Sequence, residues 1–313
     1  MATRISDVIE PITFANYVIE RTRELSALIE AGIVTQDATL NSLVVGGGRT
    51  VNMPMWAKLT GESEILSDTT PLTPRGITTK QDIAVQHFRG NAWSANALAS
   101  AVAGSSAMTA IGNQVANYWV KDEQRVLIST LRGVFDSPTM SNHRLVVTEG
   151  ISAPNVLRAK NLLGDAAGQL TAMAVHSMTM TLLQIQNLIV YIPNARGEVV
   201  IPTYLGYRLI VDDMMPFTGN TFDTYLFADG VIGRGDGIPV DGTPVETDRD
   251  SLQDDDYLIN RRYFVLHPFG VRWVGTSAGL APTNNELATG ANWEKVYDDK
   301  NIGMVLLRHT VTL

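Results

Sequence analysis

Residues 45–56 read Val45-Gly46-Gly47-Gly48-Arg49-Thr50-Val51-Asn52-Met53-Pro54-Met55-Trp56. Three glycines after the apolar run Leu43-Val44-Val45, itself a possible strand, could open a phosphate-binding loop. A dinucleotide fingerprint needs G-x-G-x-x-G running into a helix, and a P-loop needs G-x-x-x-x-G-K-[ST]. Neither pattern is present. Beyond Gly48 the residues alternate instead. Val51, Met53 and Met55 share one face, and Thr50, Asn52, Pro54 and Trp56 the other, which is the period of a strand. No helix N-terminus then faces an anion. Gly46, Gly47 and Gly48 read as an elbow where the chain leaves its compact body, because glycine tolerates φ > 0 and permits a hinge there.

A second strand is expected over Ile77–Val85, with Ile77, Ile83 and Val85 at odd positions among polar residues. Between the two strands lies a polar segment punctuated by Gly61, Pro71, Pro74 and Gly76. Residues 43–86 therefore predict a long antiparallel arm with a loose tip, and Pro54 marks its first strand as an edge. The arm has too few apolar residues for a core of its own. A two-stranded ribbon is marginal in water without a surface to lie on.

Outward from the arm, Pro11–Ala31 predicts an amphipathic helix, with Ile12, Ala15, Val18, Ile19, Leu25, Leu28 and Ile29 near helical spacing. Ser105–Gly133 predicts a long helix carrying Ile111, Val115, Trp119 and Val126 on one stripe. Helices over 154–167 and 177–189 alternate with strands over 170–175, 206–211 and 221–228. Residues 230–256 read as a Gly/Asp/Pro-rich connection. Long strands follow over 257–274, broken at Pro268 and Gly270, and a last strand runs from Ile302 to the C-terminus. The fold class is α+β.

Composition narrows the function. The chain has 313 residues, 45% hydrophobic and 18% charged, with a formal net charge of −8. It can bury a real core, and its acidic balance is poorly suited to gripping nucleic-acid phosphates. The absence of cysteine excludes disulfides and thiolate metal sites. No apolar run is long enough for a membrane span.

Motifs for chemistry are few, and no cofactor or metal is expected. Gly275-Thr276-Ser277-Ala278-Gly279 matches the G-x-S-x-G elbow of serine hydrolases, with Asp298, Asp299 and His309 following in hydrolase order. Gly279 and Pro282 oppose the helix that such an elbow must open. Asp254-Asp255-Asp256 reads as a solvated loop, since consecutive side chains of an extended chain do not converge on one ion. Arg234-Gly235-Asp236 spells an adhesion tripeptide and reads as chance. His87, His143, His176, His267 and His309 show no metal-ligand spacing and read as structural.

The order of parts resembles the major capsid proteins of tailed bacteriophages, a shell fold shared with herpesvirus capsid proteins and encapsulins. GGGRTVNMPMW and YLINRRYFVLHPFGVRWVG are similar to pieces of such coat proteins. The resemblance implies an N-terminal arm with its helix (1–42), an extended β-hairpin loop (43–86) and a peripheral domain with a spine helix (87–149). An axial domain (150–240) would follow, then peripheral strands returning to it with the C-terminal strand (241–313). It further implies pentamers and hexamers tiling an icosahedral shell around double-stranded DNA, with no sequence-specific DNA contact and no membrane. Portal and scaffold or decoration proteins are the implied partners. Assembly in the bacterial cytoplasm and residence in the virion follow. On this resemblance the arm residues Gly46, Gly47, Gly48, Met53, Pro54, Trp56, Gly61, Pro71 and Pro74 serve assembly. A serine hydrolase at Ser277 and an encapsulin-like non-viral shell are the alternatives.

Overall fold

A computed structural model describes residue 28 and residues 31–46, 48–66, 68–69, 71–193, 200–239 and 242–312. The helix expected over Pro11–Ala31 falls mostly outside the described residues; Leu28, its one described helical position, is buried in the largest core cluster.

After Leu28 the described elements open with strand β1 (Val34–Gln36) and helix α1 (Ala38–Val45). Asp37 caps α1 by accepting from the Thr39 backbone N–H. The run Leu43–Val45 therefore ends a helix and is not a strand. The arm follows as β2 (Thr50–Trp56) and β3 (Thr79–Asn96), antiparallel from Thr50↔Val85 to Trp56↔Thr79. The β3 strand does not stop at Val85. From Gln86 it pairs instead with β13 (Asp255–Pro268), through Val265↔Gln86 to Asp255↔Asn96. One continuous strand thus belongs first to the arm and then to the body, which fixes the direction in which the arm leaves.

Helix α2 (Ala97–Ala103) ends in a left-handed Gly104, and α3 (Ala107–Asp136) is the long helix. Ser106 caps it through the Thr109 N–H. It runs past Gly133, which sequence makes its stop signal. At Gly133 an added Cβ would lie 1.9 Å from the Leu287 carbonyl oxygen and 2.7 Å from the Trp293 indole nitrogen. The glycine is there for close packing against α6 (Asn284–Leu287), not for termination. Gly133→Ala should lower stability by about 2 kcal/mol or more, although alanine favours an isolated helix by ~1 kcal/mol. A drop of several degrees in Tm by calorimetry would show it; an unchanged or higher Tm would contradict the packing role.

Two sheets organise the rest. The first has strand order β1-β11-β13-β3-β2, with β12 also pairing β13. Here β11 is Ile232–Asp236 and β12 is Val245–Asp250, so the connection expected over 230–256 holds two strands. Because β2 pairs with β3 alone among the described strands, Pro54 does sit on an edge strand, where its missing N–H costs no ladder bond. The second sheet runs β4-β16-β10-β5-β8-β7-β6, where β4 is Arg144–Gly150, β6 Val190–Pro193, β7 Val200–Tyr204 and β8 Tyr207–Val211. Its centre, β5 (Leu170–Val175), β10 (Thr221–Ala228) and β16 (Met304–Thr310), is almost wholly buried. It is flanked by α4 (Ala153–Lys160) and α5 (Ser177–Ile185). Both helices are shorter than expected: the first passes into 3-10 turns with a kink at Gly164, φ 57°, and the second ends at Ile185.

Candidate assembly surface

The arm is anchored at its root and exposed at its tip. Val51 packs with Leu40 and Val44 of α1, Ala84 of β3 and Val265 of β13 in a small separate core. Helix α1 can lie this close because β11 carries glycine at alternate positions. A Cβ on Gly233 or Gly235 would come within 2.8 or 2.7 Å of Leu40, and one on Gly237 within 2.9 Å of Val45. The Arg234-Gly235-Asp236 tripeptide is therefore part of a packing seam on a strand. Gly46 ends α1 in ordinary helical conformation and gives its N–H to Ser42. Gly48 takes φ 117° and turns the chain into β2. Gly47 lies outside the described residues.

Beyond the root, Met53 and Met55 are half-buried while Pro54 and Trp56 face solvent, as the alternation requires. In β3 the alternation fails, because both faces are covered from Ala84 to His87 and Asp82 is buried as well. Asp82 accepts from the Gly270 N–H, and its other oxygen lies 3.0 Å from His267. Lys80 donates to the Val296 carbonyl and ties the arm to the loop after β15 (Trp293–Lys295). Every described residue from Lys58 to Gln81 is exposed. Trp56 is 67% exposed, Ile65 95% and Leu66 81%. The tip is nevertheless ordered by its own contacts. The Arg75 guanidinium lies against Gly61 (φ 115°), donates to the Glu62 carbonyl and pairs with Glu64, while the Thr73 N–H donates to Glu64. Pro71 and Pro74 are exposed.

On the long helix, Trp119 and Val126 are buried, and Ile111 and Val115 are only half-covered. Sequence reading passed over the most consequential residue, Glu123. Its side chain is 4% exposed and meets Arg234 at 2.9 Å and Arg262 at 2.8 Å. Arg234 also pairs with Asp236, and Arg262 lies over the Trp119 ring. Burial pushes the Glu123 carboxyl above its usual range, and the two arginines pull it back. The cluster joins α3 to β11 and β13. The signal was available: Glu123 stands four residues after Trp119, on the same face. Glu123→Ala leaves two arginines facing a buried gap and should cost about 3 kcal/mol, near the low end for a broken buried pair because Arg262 keeps access to water. Urea unfolding checks it; a loss under 1 kcal/mol would make the cluster incidental.

The hydrolase constellation does not form. The Ser277 hydroxyl donates to the Gly279 carbonyl in a loop, and the next helix begins only at Asn284. His309 is buried in β16, with Nε2 on the Thr224 hydroxyl, and burial lowers its pKa. The three aspartates also diverge. Asp254 and Asp256 pair with Arg249, and Asp255 is buried against Asn96, so this is not one solvated loop. All five histidines are buried, and no group of three metal-ligating side chains occurs among the described residues.

Against known proteins, a family model described as major capsid protein 13-like matches residues 57–305. The chain is 43% identical over 319 aligned residues to a major capsid protein of Bacillus phage SPP1, covering 98% of each. Among solved structures it matches a chain of Mycobacterium phage Bobi at TM-score 0.58 and 12% identity, covering 100% of both. It matches the Cyanophage Pam1 capsid asymmetric unit at 0.59, 11% identity, covering 96% and 97%. A holo-SrpI encapsulin complex from Synechococcus elongatus matches at 0.61, 10% identity, covering 96% and 94%. At these low identities the structural matches establish a shared fold.

Proposed function

Because the chain belongs to the major capsid protein 13-like family of phages, we propose that it closes into pentamers and hexamers that tile an icosahedral shell around phage double-stranded DNA. The observation that carries this reading is the arm: a strand shared with the body, ending in a tip whose apolar side chains are left exposed by the described residues. Such a tip gains burial on another chain, and a contact between unlike surfaces of successive copies closes rings where the rotation between copies closes. The sheet centred on β5, β10 and β16 is the unit around which the rings close, in keeping with the axial role expected for 150–240. The glycine turn and the tip prolines serve the arm's placement. The protein acts without catalysis, a reading supported by the engagement of Ser277 with Gly279 and of His309 with Thr224. Portal and scaffold or decoration proteins complete assembly in the host cytoplasm, and DNA is enclosed without sequence-specific contact.

Expression alone and with a candidate scaffold, followed by sedimentation and electron microscopy, tests this. Capsomers or closed particles are expected. A monomer of 34.1 kDa under every condition, with esterase activity lost in Ser277→Ala, would overturn it in favour of a hydrolase. An encapsulin-like shell shares the fold; particles closing around a protein cargo without a portal would favour that reading.

A further inference from the structure

The arm is packed at its root and leaves the body over open space. Val51 and Ala84 belong to the small core, and Val85 to the largest one. The Gln86 N–H donates to the Arg49 carbonyl, and its side-chain amide donates to the Val44 carbonyl at the end of α1. Further out, two clefts part the arm from the body. One, of about 650 Å³, has Pro54 and Gln81 on the arm side and Arg272 and Lys295 on the body side. The other, of about 320 Å³, has Trp56 and Lys58 facing Tyr297 and Asn301. Lys80 and Val296 line both, so the hydrogen bond between them bridges the gap.

Side chains two apart on a strand share a face. On the face of β3 that carries Ala84, the next two residues outward are Asp82 and Lys80. They grip one turn of the body with opposite charges. The Gly270 N–H donates to the Asp82 carboxylate at 3.1 Å. The Gly270 carbonyl accepts from the Val296 N–H at 2.8 Å. The Val296 carbonyl accepts from Lys80 Nζ at 2.9 Å. The three bonds close a circuit from β3 through Gly270 and Val296 and back to β3, across two strand residues or roughly 7 Å. The two that join arm to body are charge-assisted, and such bonds are about twice as strong as neutral ones. The receiving turn has little room to shift. Gly270 takes φ 91°, and a Cβ there would meet the Tyr297 ring at 2.8 Å and Ile302 at 3.0 Å.

We propose that Lys80 and Asp82 form a two-point staple that presets the direction of the arm in the free subunit, with Val85 and Gln86 as its pivot. Closed, the staple holds the ribbon across the clefts. Opened, it lets the ribbon swing into them, because Gly48 at φ 117° gives β2 the freedom to follow. The staple is a property of the single chain and holds whether or not copies assemble. A preset arm also spares the chain the ordering cost of placing it at the moment of association.

The chain has no cysteine, so spin labels at Thr60→Cys on the arm and Asn113→Cys on α3, both exposed positions, report one distance. In the monomer, double electron–electron resonance should give a narrow distance distribution for the doubly labelled chain. Lys80→Met should at least double its width with Tm unchanged, since the Lys80 side chain is 42% exposed and methionine keeps its apolar stem. Asp82→Leu should broaden it in the same way, whereas Asp82→Asn, which keeps an acceptor for the Gly270 N–H, should stay near the parent width. A parent distribution as broad as that of Lys80→Met, or a Lys80→Met distribution as narrow as the parent, would overturn the staple even where Asp82→Leu fails to fold.

Discussion

Deletion of residues 61–76 is expected to abolish particle assembly while leaving the fold of the subunit intact. The Ala57 N–H donates to the Thr78 carbonyl and closes the ribbon just below the tip. Joining Thr60 to Ile77 would leave a connection of about four residues across that bond, a common hairpin length. None of the described residues removed is buried, and none belongs to a core cluster. The cooperative unfolding transition should therefore keep its midpoint within about 0.5 kcal/mol, as for surface changes remote from any packing. Assembly should respond in full, since Ile65, Leu66 and Leu72 leave with the segment. Side chains of this size each contribute roughly 1.5–3 kcal/mol on full burial, and the loss repeats at every copy in a ring. Sedimentation shows the assembly state and circular dichroism the fold. Particles of normal yield would remove the tip from assembly, and loss of cooperative unfolding would mean that it serves its own subunit.

What could be read from the sequence depended on whether a segment's partners lie nearby in the chain. Leu170–Val175 and Thr221–Ala228 are apolar runs bounded by turn residues, and both are strands over those same residues. The arm's first strand was visible because one of its faces is wet, so that Val51, Met53 and Met55 alternate. The alternation vanished in β3 at the point where β13 and the core cover both faces. Leu43-Val44-Val45 looked like a strand because nothing local reveals that Gly233, Gly235 and Gly237, nearly two hundred residues later, clear a seat for a helix. The same glycines made β11 resemble a turn. Strand β12 (VETDRD) is polar and almost wholly exposed, and it is held by its backbone ladder to β13. Strand formation there is set by the neighbour and not by propensity. Gly133 reads as a stop because helices often end at glycine, whereas in the fold it admits α6. The candidate surface divided in the same way. The glycine turn and the exposed tip follow from local pattern. The Glu123 cluster needs elements that only folding brings together.

Acid should weaken the subunit through His87, and the direction follows from its surroundings. His87 lies fully buried in β3, its ring 5.1 Å from that of Phe264, and neither ring nitrogen has a hydrogen-bond partner among the described residues. Burial, reinforced by the nearby Arg89 guanidinium, lowers its pKa from 6.5 to about 3. In the unfolded chain the imidazole takes a proton as pH falls through 6.5, whereas in the folded chain it stays neutral down to about 3. Between these values the unfolded state binds more protons, so stability falls as pH falls. The contribution is fully present above 6.5 and is lost progressively down to about 3. At pH 4 the loss from this residue is on the order of 3 kcal/mol, and over the whole window it approaches roughly 5 kcal/mol. His87→Leu removes the titration and two unpartnered polar atoms at nearly constant volume, so it should also be more stable at neutral pH, by about 1 kcal/mol. Its loss of the ring contact with Phe264 is independent of pH and cancels from the slope. Urea unfolding from pH 7 to pH 4 separates the effects: the wild-type curve should fall more steeply than that of His87→Leu, and the two should converge toward parallel lines above pH 6.5. Parallel curves across the whole range would show that His87 gains a proton partner in the folded state and would place the acid sensitivity of the subunit elsewhere.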